Sequence, residues 1–205
     1  MNLNKKFKRI QFIDQFCCAL STIFWILMLF SFEKPTIAIT TLISSLIHES
    51  GHLLCMILYN NHEFRFRGVI NGFRIRPTRI RSYEEEMFIF LSGPLANLFA
   101  FTICIIFSFV AGDGFLTIAV INLVTAISNL LPIKGYDGYG AIRALLKKID
   151  FSGVALRMLS RLSSALIFLF SIISLYLIDR CNGGYWIFAV FFISMIKEFK
   201  EELGE

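Results

Sequence analysis

The chain contains no CxxC pair. Its five cysteines, Cys17, Cys18, Cys55, Cys104 and Cys181, fall mostly inside apolar runs, which argues against a disulfide framework and against a cysteine zinc site and leaves them as small buried apolar residues. No internal repeat and no low-complexity tract is visible. The N-terminal "MNLNKKFKRI" precedes an apolar run that is long, ends at "SFEKP" and lacks a small-x-small cleavage site, so it reads as an uncleaved first span rather than a signal peptide. Between the apolar runs there is no stretch long enough for a second soluble domain of normal size. Histidine is scarce, with three in 205 residues.

Apolar residues are in excess. The chain is 56% hydrophobic with 23 Phe, and its mean hydropathy is +0.68, whereas soluble domains are about 45–50% apolar. The excess gathers in runs long enough to be transmembrane helices. Six candidate spans result, roughly 11–32, 36–59, 86–110, 115–132, 159–178 and 183–197. The expectation is an all-α polytopic membrane protein forming a single membrane-embedded domain over 1–205.

Between the second and third spans, "HEFRFRGVINGFRIRPTRIRS" alternates apolar and basic residues around Asn71-Gly72. Asn-Gly readily supplies the positive φ of a tight turn, so a small membrane-associated β-hairpin is expected there. Its arginines suit the phosphates of an interfacial loop, and an exposed strand edge suits pairing with an extended substrate. All basic residues except Lys34 and Arg180 lie before the first span, in or at the edge of the two long loops, or at or beyond the end of the last span. The positive-inside rule places both termini and both long loops in the cytoplasm of a multi-pass cell-membrane protein. The net charge of +5 then reflects orientation in the bilayer, not nucleic-acid binding.

The second span contains "HESGH", residues 48–52. On a helix His48 and His52 lie about 40° apart and one turn along, so both imidazoles reach one metal ion. Glu49, displaced by about 100°, can sit beside the ion and accept a proton from water; this is the physical content of the His-Glu-x-x-His zinc signature. Ionisable groups at bilayer depth cost about 2.5–3.5 kcal/mol each and are functional by default. Catalytic zinc takes three protein ligands, so a third is required. Cys55 needs deformation to reach, His62 lies beyond the span, Glu84, Glu85 and Glu86 suit a helix N-terminus, and Asp113 and Asp179 fall on the opposite side of the membrane. Asp137 remains, flanked by Gly and Tyr in "NLLPIKGYDGYG" on the cytoplasmic side.

These residues resemble the site-2 proteases, zinc metalloproteases that cut within the membrane. "HESGH" is similar to the family's HExGH, "NLLPIKGYDG" (129–138) to its Asn-x-x-Pro and Asp-Gly motif, and "SGPLANL" (92–98) to its Gly-Pro-x-x-Asn segment. The resemblance covers roughly residues 36–150. The layout looks most like the stage IV sporulation protein FB subgroup, which processes a membrane-associated sigma-factor precursor. It departs from the family where "DGYGAIR" replaces the more usual Asp-Gly-Gly-Arg, and neither a PDZ module nor a CBS domain is expected.

The resemblance implies a Zn2+ held by His48, His52 and Asp137, with Glu49 as the catalytic base. It gives Asn129 contact with substrate backbone or developing oxyanion. Gly93, Pro94 and Asn97 would pack beside the metal helix, with substrate binding as the further role of Asn97. The implied partners are a membrane protein substrate, a regulatory membrane partner and the lipid bilayer. Two rival readings are a metal transporter using the same histidine pair and a non-catalytic membrane scaffold. A third is a membrane metalloprotease whose site lies in a soluble lobe with a Glu ligand.

Overall fold

The structure is a computed structural model and describes residues 19–59, 64–69, 72–77, 80, 82–149 and 153–181, apart from residues 21, 25, 28 and 32. In chain order it contains α1 (Pro35–Leu58), β1 (Phe64–Val69), β2 (Gly72–Pro77), α2 (Tyr83–Ala111), α3 (Asp113–Leu130), α4 (Asp137–Ile149) and α5 (Val154–Cys181). Among the described residues four helices, α1, α2, α3 and α5, are long and apolar enough to cross a membrane. Of the six expected spans, the described residues support these four. The span expected at 183–197 lies outside the described residues, and of the one at 11–32 only a short apolar helical stretch, Thr22–Ser31, is described.

Local chemistry sets the helix ends. Pro35 opens α1, where its missing N–H costs no hydrogen bond. Ser82 is extended, and its Oγ accepts the Glu85 N–H at 3.1 Å, capping α2. Glu84, Glu85 and Glu86 fill the first turn of α2 and complement its dipole. A window of apolar residues cannot register that acidic turn, so α2 begins before the expected position 86. Gly112 alone joins α2 to α3, with φ 94°, a left-handed conformation that glycine adopts without the Cβ penalty. Leu131 is extended (φ −61°, ψ 141°) because Pro132 follows it and disfavours the helical region, and α3 stops there.

α4 corrects the expectation of a loop between the fourth and fifth spans. Gly138 and Gly140, each costing about 1 kcal/mol against Ala in a helix, obscure it in the sequence. Its buried residues, Asp137, Gly138, Gly140, Ala141 and Ala144, recur at helical spacing. Asp137 stands in its first turn and Lys147 and Lys148 in its last, matching the dipole at both ends. α5 starts ahead of the expected position 159 and carries Arg157 and Arg161 in its early turns, which lowered the local hydropathy.

α2 packs against α1, α3 and α4, and α4 also reaches α5. A Cβ at Gly51 would lie 2.5 Å from the Ser92 carbonyl oxygen and 2.7 Å from Ala96 Cβ. Glycine at 51 therefore brings the α1 and α2 backbones into direct contact, the small-residue packing favoured between membrane helices. Phe99, Ile106, Phe109, Val124 and Phe168 are exposed on the outer faces, while Ser44, Asn97, Asn122 and Ser163 are fully buried. β1 and β2 pair antiparallel, from Phe64 opposite Pro77 to Val69 opposite Gly72. The Asn71 turn lies outside the described residues. Two ion pairs fasten α4 to the start of α2: Arg143 Nη2 with Glu86 Oε1 at 2.9 Å, and Lys148 with Glu84.

Candidate metal centre

His48, Glu49 and His52 are all buried, at 6%, 5% and 3% exposure. Their ligand atoms lie within 4.8 Å of one another. The two imidazoles stand edge to face, with ring centroids 4.7 Å apart and an interplanar angle of 89°, so their Nε2 atoms converge at 3.2 Å.

Asp137 enters this cluster from α4. Its Oδ2 lies 2.8 Å from His48 Nε2 and 3.1 Å from His52 Nε2. Two glycine contacts bring it there. A Cβ at Gly138 would meet the Leu130 carbonyl oxygen at 2.0 Å, and one at Gly140 would strike the Phe90 ring at 2.3 Å. Without side chains at 138 and 140, the first turn of α4 presses onto the end of α3 and onto α2. The Lys134 N–H donates to Ser163 Oγ at 2.8 Å, tying the connection to α5.

The outward nitrogens are tied as firmly. His52 Nδ1 lies 2.6 Å from the Ile89 carbonyl oxygen, which can only accept, so this nitrogen donates. His48 Nδ1 lies 2.8 Å from Asn97 Oδ1. Metal-binding histidines usually spend the second nitrogen this way, which orients the ring and its lone pair. On the other side, Gly93 gives α2 its approach: a Cβ there would lie 2.5 Å from the His52 ring and 2.8 Å from His48 Cε1.

The three facing atoms fit a small tetrahedral cation. Ligand bonds of about 2.0–2.1 Å set tetrahedral ligand atoms about 3.3 Å apart; the edges here are 2.8, 3.1 and 3.2 Å, and slight expansion would admit the ion. The donor set, two imidazoles and a carboxylate, suits zinc.

The other candidate ligands are engaged elsewhere or lie apart. Glu84 and Glu86 pair with Lys148 and Arg143, Cys55 is half-buried further along α1, and His62 lies outside the described residues. Asn129 donates to the Thr125 carbonyl of its own helix at 3.0 Å. Asn97, the other residue expected to meet a substrate, stands beside the metal helix. It is fully buried, and its carboxamide is hydrogen-bonded to His48, Ser44 and Asn122. Sequence reasoning missed Ser44 and Asn122 as neighbours of the cluster. Asn122, an amide in the middle of an apolar span, was the available signal.

No family model and no curated protein matches the chain. Among solved structures, the site-2 protease from Methanocaldococcus jannaschii shares the fold, with a TM-score of 0.65 at 18% identity over 87% of this chain and 88% of that one.

Proposed function

We propose that this chain is an intramembrane zinc metalloprotease that hydrolyses peptide bonds of a membrane protein near the cytoplasmic face. The observation that carries the reading is the meeting of His48 Nε2, His52 Nε2 and Asp137 Oδ2 within 3.2 Å of one another, with the Glu49 carboxylate beside them. The fold likeness to a site-2 protease supports it.

In this reading His48, His52 and Asp137 hold the metal. Bound zinc lowers the pKa of water toward about 7 and polarises the scissile carbonyl. Glu49 takes a proton from the attacking water and delivers it to the leaving amine. Burial of Glu49 and the two imidazoles strengthens each charge interaction at the site. Asn129, eight residues before Asp137, serves the substrate backbone by accepting an N–H at its carboxamide oxygen, or the developing oxyanion by donating the second proton of its Nδ2. A transmembrane helix hides its amides in i→i−4 bonds, so the substrate must be extended, and the β1–β2 ladder, membrane-associated in this reading, offers an edge for it. Both termini face the cytoplasm. A regulatory substrate such as a sigma-factor precursor or anti-sigma factor follows from the motif resemblance alone.

Co-expression with candidate membrane-tethered regulators tests the reading. Wild type should yield a processed fragment and Glu49→Gln none, with zinc bound in both. A metal transporter has no use for a base, so unchanged function in Glu49→Gln would favour that rival. A silent scaffold predicts no fragment from either protein.

A further inference from the structure

Behind His48, on the side away from Asp137, a chain of buried hydrogen bonds crosses three helices and ends on the backbone of α3. Its direction can be derived from that end. The Ile118 carbonyl can only accept, and Asn122 Nδ2 lies 2.9 Å from it; the Asn122 amide therefore turns its nitrogen outward and its Oδ1 inward. Likewise Thr125 Oγ1 gives its one proton to the Ile121 carbonyl at 2.8 Å, so it accepts from Ser44 Oγ at 3.0 Å. Three acceptors then surround one atom of Asn97. Its Nδ2 lies 2.9 Å from Asn122 Oδ1, 3.0 Å from Ser44 Oγ and 3.0 Å from the Ser44 carbonyl oxygen. Rotating this amide by half a turn would bring Oδ1 against all of them. Asn97 Oδ1 is thereby held toward His48, 2.8 Å from Nδ1, and Nδ1 must donate.

We infer that Asn122 is a positioning residue: acting through Asn97, it fixes the proton of His48 on Nδ1, so that Nε2 faces Asp137 as the ligand nitrogen. The inference rests on the metalloprotease reading and deepens it. Asn122 touches neither the imidazole nor the reacting atoms; its effect is transmitted by the polarity of one intervening amide. A purely structural role, in which Asn122 is polar glue between helices, predicts loss of stability with no change at the metal.

The test compares two replacements of the same shape. Asn122→Thr keeps the polarity, because a threonine hydroxyl can donate to the carbonyl four residues back, as Thr40, Thr41 and Thr125 do, and still accept from Asn97. Asn122→Val removes it. Zinc affinity of the full-length chain in detergent is measured by chelator competition. The His48 Nδ1–H resonance is followed in zinc-loaded, 15N-histidine-labelled protein, where only three histidines need assignment. Disturbing a ligand's hydrogen-bond partner typically costs about 10–100-fold in metal affinity. Asn122→Val should fall in that range and lose the resonance, while Asn122→Thr should stay within about threefold of wild type.

Equal zinc affinity in the two variants, with or without a drop in thermal stability, overturns the inference and leaves the metalloprotease reading intact. Failure of the wild type to bind zinc overturns that reading itself. If Asn122→Val does not fold, the threonine variant decides: a loss of about tenfold or more, or loss of the resonance, refutes the polarity mechanism.

Discussion

Asp137 Oδ2 lies 2.8 Å from His48 Nε2 across 89 residues of sequence. The first turn of α4, a helix that no apolar run announces, makes this contact.

Replacing Asp137 with Ala removes one of the three facing donors. Zinc stoichiometry after dialysis at micromolar free metal should fall below one, and affinity should drop by at least about tenfold, since a three-ligand site becomes a two-ligand one. Metal analysis of the purified variant checks this. Unchanged stoichiometry would remove Asp137 from the ligand set.

Glu49→Gln should leave zinc content at the wild-type level while cleavage falls by about 100- to 10,000-fold, the range associated with general acid–base catalysis. Fragment yield against zinc content measures both quantities on the same sample.

Gly93→Ala places a methyl group 2.5 Å from the His52 ring, which requires the imidazole or α2 to move. Zinc affinity and activity should both fall by about tenfold or more, because ligand geometry, not charge, has been disturbed. Gly114→Ala is the control: nothing lies within 4 Å of a Cβ there, and affinity and thermal midpoint should match the wild type.

Gly138→Ala puts a Cβ 2.0 Å from the Leu130 carbonyl oxygen. Backbone cannot yield as a flexible side chain can, so α4 must shift and carry Asp137 with it. Overpacking of this kind costs about 1–3 kcal/mol. The variant should show a lower thermal midpoint and weaker zinc binding together.

Zinc removal should itself destabilise the chain. A ligand bound only by the folded state stabilises by about 2.7 kcal/mol at 100 times its Kd. A chelator should lower the thermal midpoint, and added zinc should restore it in wild type but only weakly in Asp137→Ala.

The elements legible in the sequence are those written in local periodicity. α1, α2 and α3 announce themselves as apolar runs, and His48 and His52 share a face because 3.6 residues make a turn. α4 escaped because two of its buried positions are glycines, chosen for contact with Leu130 and Phe90, not for helix propensity. Asn97 is ambiguous in the sequence for a related reason. A polar residue at bilayer depth signals function, but the sequence does not say whether it faces a substrate or a histidine 49 positions away.

By itself the sequence determined the apolar helices, the pairing of His48 with His52 and the position of Glu49 between them, since each depends only on spacing along one helix. Only the tertiary structure decided that Asp137 meets both imidazoles, that Asn97 and the Ile89 carbonyl hold their outer nitrogens, and that Asn122 stands behind Asn97. Those relationships depend on how closely α2 and α4 approach α1 and α3. That distance is set by where side chains are missing, at Gly51, Gly93, Gly138 and Gly140, and close packing between helices has no signature in the periodicity of any one of them.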